Sequence, residues 1–355
     1  MTKIIHTGDL HLDSPLIGMP PEKAEICREE RLLSFKNTIE EVKRRGAEIL
    51  LLSGDVFENE YVSYKTVEFL KRCFAEIPDT PVFIAPGNHD CISGNKVYFR
   101  ENLGENVHVF DNKLDFVELR ELNVRVYGYG FYGKSTDDNI LNGFKAIDDG
   151  MTNIMLMHCS LPPYRDINPV TKEELEQCGL DYLAAGHIHA GGEIMKAGYT
   201  YYAYCGTPQG FSFDETGAGG IIFGDIECKS VNLCFIKTAK RSVAVKKVDV
   251  SDCLTNADIC SKLKDMNSEN IYKIILQGKI PKEVIFNKSA LKQMLEEKLF
   301  FVKIYDETKT ETDRSSSMAE AVFLKKLLEK DANDEIKKRA EKLGLLALSG
   351  EQFDF

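Results

Sequence analysis

Residues 82–90 read Val-Phe-Ile-Ala-Pro-Gly-Asn-His-Asp, an apolar strand that runs directly into three adjacent polar side chains. Asn88 offers a neutral oxygen that can ligate a metal, and His89 offers a titratable imidazole. The Asp90 carboxylate can fix which imidazole nitrogen carries the proton. Taken alone, such a segment is most often an ordinary turn after a strand, so its meaning depends on the rest of the chain.

Two earlier strands end in the same way. Asp9 and His11 follow the β-rich run at residues 3–7 and alternate with leucines, which puts both side chains on one side of the chain. Asp55 follows residues 48–52, a continuous apolar run typical of a strand that is buried on both faces. A carboxylate and an imidazole two residues apart can reach a single cation.

Helices are predicted between these strands. Apolar residues recur at helical spacing over residues 28–45, and a second helix is predicted at residues 62–76. Strands joined through helices run parallel, so their carboxyl ends lie along one edge of a sheet, where open α/β sheets bind ligands. We therefore expect the polar residues after the three strands to meet.

Beyond residue 106 the pattern changes to short alternating strands. His158 directly follows a predicted buried strand, and His187 and His189 follow another. The strands predicted in this part of the chain lie at residues 107–110, 114–119, 124–127, 153–157, 182–185, 199–204, 220–226 and 231–236. The last three are expected to complete a second sheet.

The histidines are distributed unevenly. The sequence holds seven, of which five follow predicted strands directly, namely His11, His89, His158, His187 and His189. His6 and His108 lie inside strands, where a lone histidine is usually a core residue with satisfied hydrogen bonds. Two divalent cations about 3.5–4 Å apart need a bridging carboxylate plus nitrogen and oxygen ligands on both sides. The five histidines and their neighbouring polar residues predict such a centre.

Composition narrows the class of protein. The 355-residue chain has ten scattered cysteines without a Cys-x-x-Cys pair, which predicts reduced thiols. No apolar run comes near the roughly 20 residues of a membrane span, so the sequence predicts a cytoplasmic protein without membrane contact. The net charge of -11 argues against a protein that wraps duplex DNA in positive potential, although bound cations would offset charge locally. Three basic clusters are either phosphate contacts or solvated faces: residues 43–45, the group Lys237, Lys240 and Arg241, and residues 246–247.

Five motifs follow one another along the chain: Asp9-x-His11, Gly54-Asp55, Gly87-Asn88-His89-Asp90, His158 and Gly186-His187-x-His189. This order resembles the calcineurin-like metallophosphoesterases over about the first 240 residues. The segments at 9–12, 54–57, 204–208 and 212–215 are similar to SbcD-type DNA repair exonucleases, including the YhaO-like branch. The resemblance implies an α/β protein with a metallophosphoesterase domain at residues 1–240, built as a four-layer α/β/β/α sandwich of two mixed sheets.

The resemblance also implies which residues hold metal. One cation would be held by Asp9, His11 and His189. The other would be held by Asn88, His158 and His187, and Asp55 would bridge the two. Ligation by nitrogen and oxygen without thiolate suits Mn²⁺, with Fe²⁺ or Zn²⁺ as alternatives.

In the same way, His89 is implied to be catalytic without ligating a metal. It would orient the phosphate and protonate the leaving oxygen, with Asp90 setting its tautomer, while a water activated by the two metals attacks phosphorus in line. One departure concerns Phe211, which stands where relatives in the YhaO-like branch often carry a basic residue.

The rest of the chain divides into three parts. The order strand, helix, strand, helix, strand over residues 241–306 resembles the small α/β capping domain that guides DNA toward the metals in SbcD-type nucleases. Residues 307–317 are polar and read as a linker. Helical stripes within residues 318–355 either pack inside the chain or, as the resemblance implies, dock an SMC-like (SbcC-type) ATPase. A homodimer is also implied.

The sequence therefore favours a metal-dependent DNA phosphodiesterase of the exonuclease class that works with an ATPase partner. An alternative is a standalone metallophosphoesterase acting on small nucleotides, cyclic nucleotides or phosphoprotein, which the acidic charge favours. A third hypothesis is a metal-filled scaffold that only holds a partner, and the presence of His89 argues against it.

Overall fold

The computed structural model describes residues 1–59, 61–94, 97–135, 139–213, 215–281, 284–310, 318–330 and 334–349. The strands are β1 (Thr2–Thr7), β2 (Ile49–Leu52), β3 (Val82–Ile84), β4 (Val107–Val109), β5 (Asp115–Leu119), β6 (Val124–Tyr129), β7 (Thr152–His158), β8 (Tyr182–Gly186), β9 (Ile194–Ala197), β10 (Thr200–Tyr204), β11 (Gly217–Glu227), β12 (Ser230–Asp249), β13 (Ile271–Gln277), β14 (Lys279–Ile280), β15 (Phe301–Asp306) and β16 (Lys309–Thr310). The helices are α1 (Pro21–Arg45), α2 (Tyr64–Ala75), α3 (Val97–Arg100), α4 (Lys172–Gln177), α5 (Asn256–Lys262), α6 (Lys288–Glu296), α7 (Met318–Leu328) and α8 (Asp334–Ser349), with one 3-10 turn at Arg120–Leu122.

Two mixed sheets carry most of the strands. The larger sheet has eight strands in the order β15-β13-β12-β11-β1-β2-β3-β4, and the smaller has six in the order β5-β6-β7-β8-β10-β9. Strands β1 to β4 run parallel, as do β6, β7, β8 and β10. The carboxyl ends of each parallel set therefore share one edge, and the predicted α/β fold with two mixed sheets is confirmed.

The core lies in three layers between the sheets and the helices. Leu50 and Leu52 on β2 pack in a cluster with Phe35 of α1, whereas Leu51 faces a second cluster that holds Leu156 of the smaller sheet. A third cluster places α4 against the other face of the smaller sheet. Because β2 is covered on both faces, its sequence is apolar without alternation.

Helix ends follow the local sequence. Helix α1 ends where Gly46 adopts the left-handed backbone with φ 63°, a conformation that costs glycine little. The helix begins at Pro21, earlier than the predicted residue 28, because proline is accepted in the first helical turn. Helix α2 begins after Ser63, whose side chain accepts a 3.1 Å hydrogen bond from the Thr66 amide.

One part of the predicted topology is wrong. Strands β11 and β12 were expected in the second sheet, but β11 pairs antiparallel with β1 in the larger sheet, with Ile5 opposite Phe223. Strand periodicity reports which faces are buried and not which strand is the neighbour, so the pattern could not distinguish the two sheets.

The described chain divides into two compact units. The first comprises Met1–Lys246, Asp265–Ile274 and Lys292–Ile304, and the second Lys247–Lys264, Ile275–Leu291 and Tyr305–Phe355. The boundary predicted at residue 240 falls inside the unbroken strand β12. Strands β13 and β15 begin in the first unit, where Ile271 and Phe301 pack with Val243. Residues 241–306 are therefore divided between the two units, whereas the prediction assigned all of them to one capping domain.

The second unit contains α5, α7, α8 and the short β14-β16 pair. Gly344 of α8 faces the Phe323 ring of α7 so closely that a Cβ on the glycine would lie 2.0 Å from the ring. Among the side chains described in these two helices, the large apolar ones that are exposed are Val322, Leu328, Ile336, Leu343 and Leu348. Part of the predicted linker, residues 311–317, and the tail, residues 350–355, lie outside the described residues. None of the helices in the described ranges combines the length and apolar content that a bilayer crossing demands.

Candidate metal centre

Loops at the carboxyl ends of β1 and β2 are tied to each other. The Asp9 amide donates to the Gly54 carbonyl and the His11 amide to the Asp55 carbonyl, both at 2.9 Å. Asp9, His11 and Asp55 all have left-handed backbone, with φ of 48°, 46° and 48°. Non-glycine residues adopt this conformation rarely, and asparagine, aspartate and histidine adopt it most readily. The loops thus bend sharply enough to turn these side chains toward one point.

The Asp55 carboxylate lies between two groups of side chains. Its Oδ2 is 3.8 Å from His11 Nε2 and 3.4 Å from His158 Nε2. His11 Nε2 is 3.0 Å from His189 Nε2, and His158 Nε2 is 3.0 Å from Asn88 Oδ1. A carboxylate with ligand-type atoms on both sides has the position expected of a bridge.

Asp9 and His187 complete the set. Asp9 Oδ1 is 4.0 Å from His158 Nδ1, and it accepts a 3.1 Å hydrogen bond from the His187 amide. The His187 ring lies 5.3 Å from the His158 ring between centroids. His187 itself has left-handed backbone, with φ 111°. All seven side chains predicted to hold metal are therefore gathered at one place.

The residues present fit divalent cations. One ligand atom from each of Asp9, His11 and His189 lies within 4.8 Å of the others, and the same holds for Asp9, Asp55 and His158. Asp9, His11, Asp55 and His158 are nearly or fully buried. Buried carboxylates are costly unless a cation or hydrogen bonds compensate their charge, and imidazole nitrogen with carboxylate oxygen is the donor set of Zn²⁺, Fe²⁺ and Mn²⁺ sites.

Glu58 is a site residue that the sequence did not reveal. Its Oε2 is 3.0 Å from His11 Nδ1, its Oε1 is 3.6 Å from His89 Nδ1, and its carbonyl oxygen is 3.1 Å from the same His89 nitrogen. The hydrogen bond with Glu58 raises the pKa of His89 to about 9. Burial favours the neutral carboxyl, but the hydrogen bonds with His11 and His89 hold the pKa of Glu58 well below its usual range.

The predicted role of Asp90 in setting the His89 tautomer is wrong. The fully buried Asp90 carboxylate accepts hydrogen bonds from the amides of Gly87 at 2.7 Å, Val56 at 2.8 Å and Asp55 at 3.2 Å, and from the Tyr98 hydroxyl. Asp90 therefore joins the loop after β3 to the loop after β2, while Glu58 contacts His89. Adjacency in sequence predicts Asp90 as the partner of His89, but the turn at 88–90 points the two side chains in different directions.

Two further carboxylates contact the predicted ligands. Asp166 Oδ2 is 2.8 Å from His187 Nε2, and Glu215 Oε1 is 3.3 Å from His189 Nδ1. Burial opposes protonation of His189, but the hydrogen bond with Glu215 raises its pKa to about 9. Glu215 lies in the segment at 212–215 that carried the family resemblance, so a signal for it was present. For Asp166, at an exposed position in a loop, the sequence held none.

Arg31 lies next to Phe211, the residue that stands where relatives in the YhaO-like branch often carry a basic residue. Its guanidinium lies 5.3 Å from the centre of the Phe211 ring, donates from Nη1 to the His11 carbonyl at 2.9 Å, and lies 3.6 Å from Glu215. The charge near Phe211 thus comes from α1.

The two histidines predicted to be structural differ in environment. His6 is fully buried between the Tyr182 hydroxyl at 2.8 Å and the Ser53 hydroxyl at 3.0 Å, and burial lowers its pKa to about 3. His108 is exposed on β4, where its ring packs 4.7 Å from the Phe110 ring. All ten cysteines are free, and seven are buried, as predicted for reduced small hydrophobes.

Two of the three basic clusters form ion pairs within the protein. Lys43 lies 2.6 Å from both Glu40 and Glu76, and Arg44 and Arg45 each lie 2.6 Å from Glu41. In the second cluster, Lys240 and the buried Arg241 both contact Glu30. These contacts favour the structural interpretation of both clusters over phosphate binding.

The chain is similar to a known protein family and to several known proteins. The calcineurin-like phosphoesterase family matches residues 2–191, more than half of the chain. The uncharacterized metallophosphoesterase YhaO of Bacillus subtilis (strain 168) is 27% identical over 343 residues, which cover 87% of this chain and 82% of that protein.

Two proteins with the name DNA double-strand break repair protein Mre11 are also similar. That of Aeropyrum pernix is 24% identical over 272 residues, which cover 71% of this chain and 64% of that protein. That of Methanopyrus kandleri is 22% identical over 238 residues, which cover 61% of this chain and 51% of that protein. The chain thus spans between half and two thirds of the length of these two proteins.

Proposed function

The chain belongs to the calcineurin-like phosphoesterases, and from this premise and the geometry of its metal centre we propose that it is a metal-dependent DNA phosphodiesterase with exonuclease activity. The observation that carries the proposal is the gathering of six ligand-type side chains around a seventh, Asp55, with His89 beside them. The choice of DNA is supported by the similarity to two proteins named for DNA double-strand break repair.

Each residue of the centre has a role in this proposal. Asp9, His11 and His189 would hold one cation, Asn88, His158 and His187 the other, and Asp55 both. Bound divalent cations, of which Mn²⁺ suits the donor set, would lower the pKa of water and offset charge on the phosphate. Glu58 engages His89 Nδ1, which leaves Nε2 to donate a proton to the leaving oxygen.

The decisive assay digests linear single- and double-stranded DNA with added Mn²⁺. We expect His89→Ala and Asp55→Asn each to reduce cleavage by about 10²–10⁴-fold, the usual contribution of a general acid or a charge-stabilising group. Tyr199→Ala, which changes an aromatic residue that is 79% exposed and outside the centre, is the matched control and should cleave normally.

A second candidate, hydrolysis of small nucleotides, cyclic nucleotides or phosphoprotein, is favoured by the net charge of -11 and by the ion pairs that engage the basic clusters. Cleavage of a chromogenic diester without any cleavage of DNA would support this candidate and overturn the first.

The partner in the proposal is an SMC-like ATPase docked on α7 and α8. The exposed apolar residues of these helices support it, because Leu328 and Ile336 are 76% and 58% exposed. Aspartate at either position should abolish co-purification with a co-expressed ATPase of this class. Ile285→Asp, at a position 88% exposed elsewhere in the second unit, should leave it intact. Equal recovery with all three variants would remove the docking proposal.

A further inference from the structure

A cleft of about 410 Å³ borders the metal centre within the first unit. His11, His89 and His189 line one side of it. The apolar part of the lining consists chiefly of Leu16, Met19, Phe211, Phe213 and Phe301, which belong to one packed cluster. Cavities of this size commonly hold one small ligand, and a wall of aromatic rings offers a flat partner for another ring.

Among the three phenylalanines, Phe213 is the accessible one. Phe211 and Phe301 are only 6% and 4% exposed, whereas Phe213 is partly exposed at the cleft. The Arg31 guanidinium already lies over the Phe211 ring. Phe213 is therefore the ring most open to stacking by a ligand.

Lys303 brings a cation to the same cleft. Its Nζ lies 5.7 Å from the centre of the Phe213 ring. Within the described ranges, no carboxylate is close enough to form an ion pair with this ammonium, in contrast to Arg31, which lies 3.6 Å from Glu215. An ammonium without an acidic partner beside a phosphoesterase centre is suited to a phosphate.

The rim of the cleft is held in place before any ligand arrives. Gly18 lies against the end of the Lys303 side chain and has φ 86°, a left-handed backbone that glycine adopts without strain. The Asp13 carboxylate accepts hydrogen bonds from the Ser63 amide at 2.7 Å and the Thr66 hydroxyl at 2.8 Å. These bonds anchor the loop that carries Leu16 and Gly18, and a preformed site loses little entropy on binding.

We propose that this cleft binds one unpaired nucleotide of a DNA strand, with its base stacked on Phe213 and a neighbouring phosphate at Lys303. The inference rests on the proposed DNA phosphodiesterase activity and adds how the strand is held. A volume of about 410 Å³ suits a single nucleotide, so the proposal has the strand single or frayed there. Stacking on a phenyl ring accepts any base, so the site is indifferent to sequence.

The first test removes the base from the substrate and the ring from the protein. Two labelled single-stranded oligonucleotides are compared, one normal and one with abasic residues at the end that is cleaved. The unaltered protein should bind and cleave the normal one about 5- to 150-fold better, which corresponds to the contribution of one stacked base. Phe213→Ala should lose this discrimination and Phe213→Tyr should keep it, in Mn²⁺-dependent cleavage and in binding by fluorescence anisotropy in EDTA.

The second test concerns the phosphate. Lys303→Met should weaken binding of both oligonucleotides alike and reduce the salt dependence of binding, the slope of log K against log salt, by about 0.7. Phe213→Ala should leave that slope unchanged. Lys273→Met, a charge removal outside the cleft lining, is the control. An unchanged slope in Lys303→Met would overturn the phosphate assignment.

The outcomes separate this inference from the proposed function. Cleavage of normal and abasic DNA at equal rates by the unaltered protein would overturn the base site and leave the nuclease proposal standing. Equal discrimination by Phe213→Ala and the unaltered protein would overturn the assignment to Phe213. Phe213→Leu is the folding control: it lacks the ring, and a normal melting temperature would show that lost discrimination comes from lost stacking and not from unfolding. No cleavage of any DNA would overturn both proposals.

Discussion

Glu58 fixes two histidines with one carboxylate, because its two oxygens face His11 Nδ1 and His89 Nδ1. A carboxylate on the far nitrogen of a ligating imidazole sets its tautomer and orientation. Glu58→Gln and Glu58→Ala should therefore reduce Mn²⁺ affinity, measured by calorimetry, and DNA cleavage by about 10- to 100-fold. Glu173→Gln, at an exposed position outside the centre, should change neither. Normal Mn²⁺ affinity in both Glu58 variants would contradict this role.

Asp90 is expected to act on stability, since its carboxylate accepts hydrogen bonds from four backbone amides and from the Tyr98 hydroxyl. Asp90→Asn turns an amide group toward those donors and should lower the free energy of unfolding by about 1–3 kcal/mol. Tyr98→Phe, which removes one donor, should cost about 1 kcal/mol. His89→Ala should leave stability nearly unchanged while cleavage is lost.

Urea unfolding of the chelated protein measures these differences. An Asp90→Asn variant as stable as the unaltered protein but inactive would restore a catalytic role for Asp90.

At the scale of single elements, α1 is joined to β12 by a buried ion pair. Arg241 donates from Nε and Nη2 to Glu30 at 2.6 and 2.7 Å, and each residue is about 5% exposed. Glu30→Ala removes the only buried carboxylate that pairs with this guanidinium among the described residues and should lower the free energy of unfolding by about 3–5 kcal/mol. Glu269→Ala removes a carboxylate that is 62% exposed and contacts the same arginine, so it should cost at most about 1 kcal/mol. Equal losses in the two variants would contradict this explanation.

The elements also show what sequence patterns can predict. Strand β2 and helix α2 were predicted nearly to their ends because a continuous apolar run and apolar residues at helical spacing are local signals. The neighbours of β11 and the continuity of β12 across residue 240 depend on pairing between distant segments. No local pattern encodes such pairing, and the predicted second sheet and domain boundary therefore differ from the structure.

In the candidate centre, too, the sequence predicted what local patterns encode and missed contacts between distant segments. Ligand-type residues were found from the sequence because each stands at or close to the carboxyl end of a strand, as His158 and Asp55 do. Partners from other loops, such as Glu58 and Asp166, were missed because a carboxylate on a polar loop looks like any solvated residue. The Asp90 contact was misassigned because adjacency along the chain does not give the direction of a side chain.

For the whole molecule, metal removal should lower stability. The buried carboxylates Asp9 and Asp55 share a small space with four histidines, and a cation that binds only the folded state stabilises it. Mn²⁺ at 100 times its Kd should add about 2.7 kcal/mol per site to the free energy of unfolding, and EDTA should reverse the gain. Calorimetry with and without chelator measures the shift in Tm. Asp55→Asn should show a smaller shift, and an identical shift would place the ion elsewhere.

The left-handed backbone at Asp9, His11, Asp55 and His187 has a consequence for anyone who would transplant this chemistry. Each such bend costs roughly 1–2 kcal/mol for a residue with a Cβ, and the surrounding strands supply the restraint that maintains it. Short peptides that copy the motifs would relax and scatter their donors. A graft into another scaffold must therefore import the strand ends as well. In saturation libraries selected for folding and not for cleavage, asparagine should be recovered at positions 9 and 55 more often than valine or isoleucine.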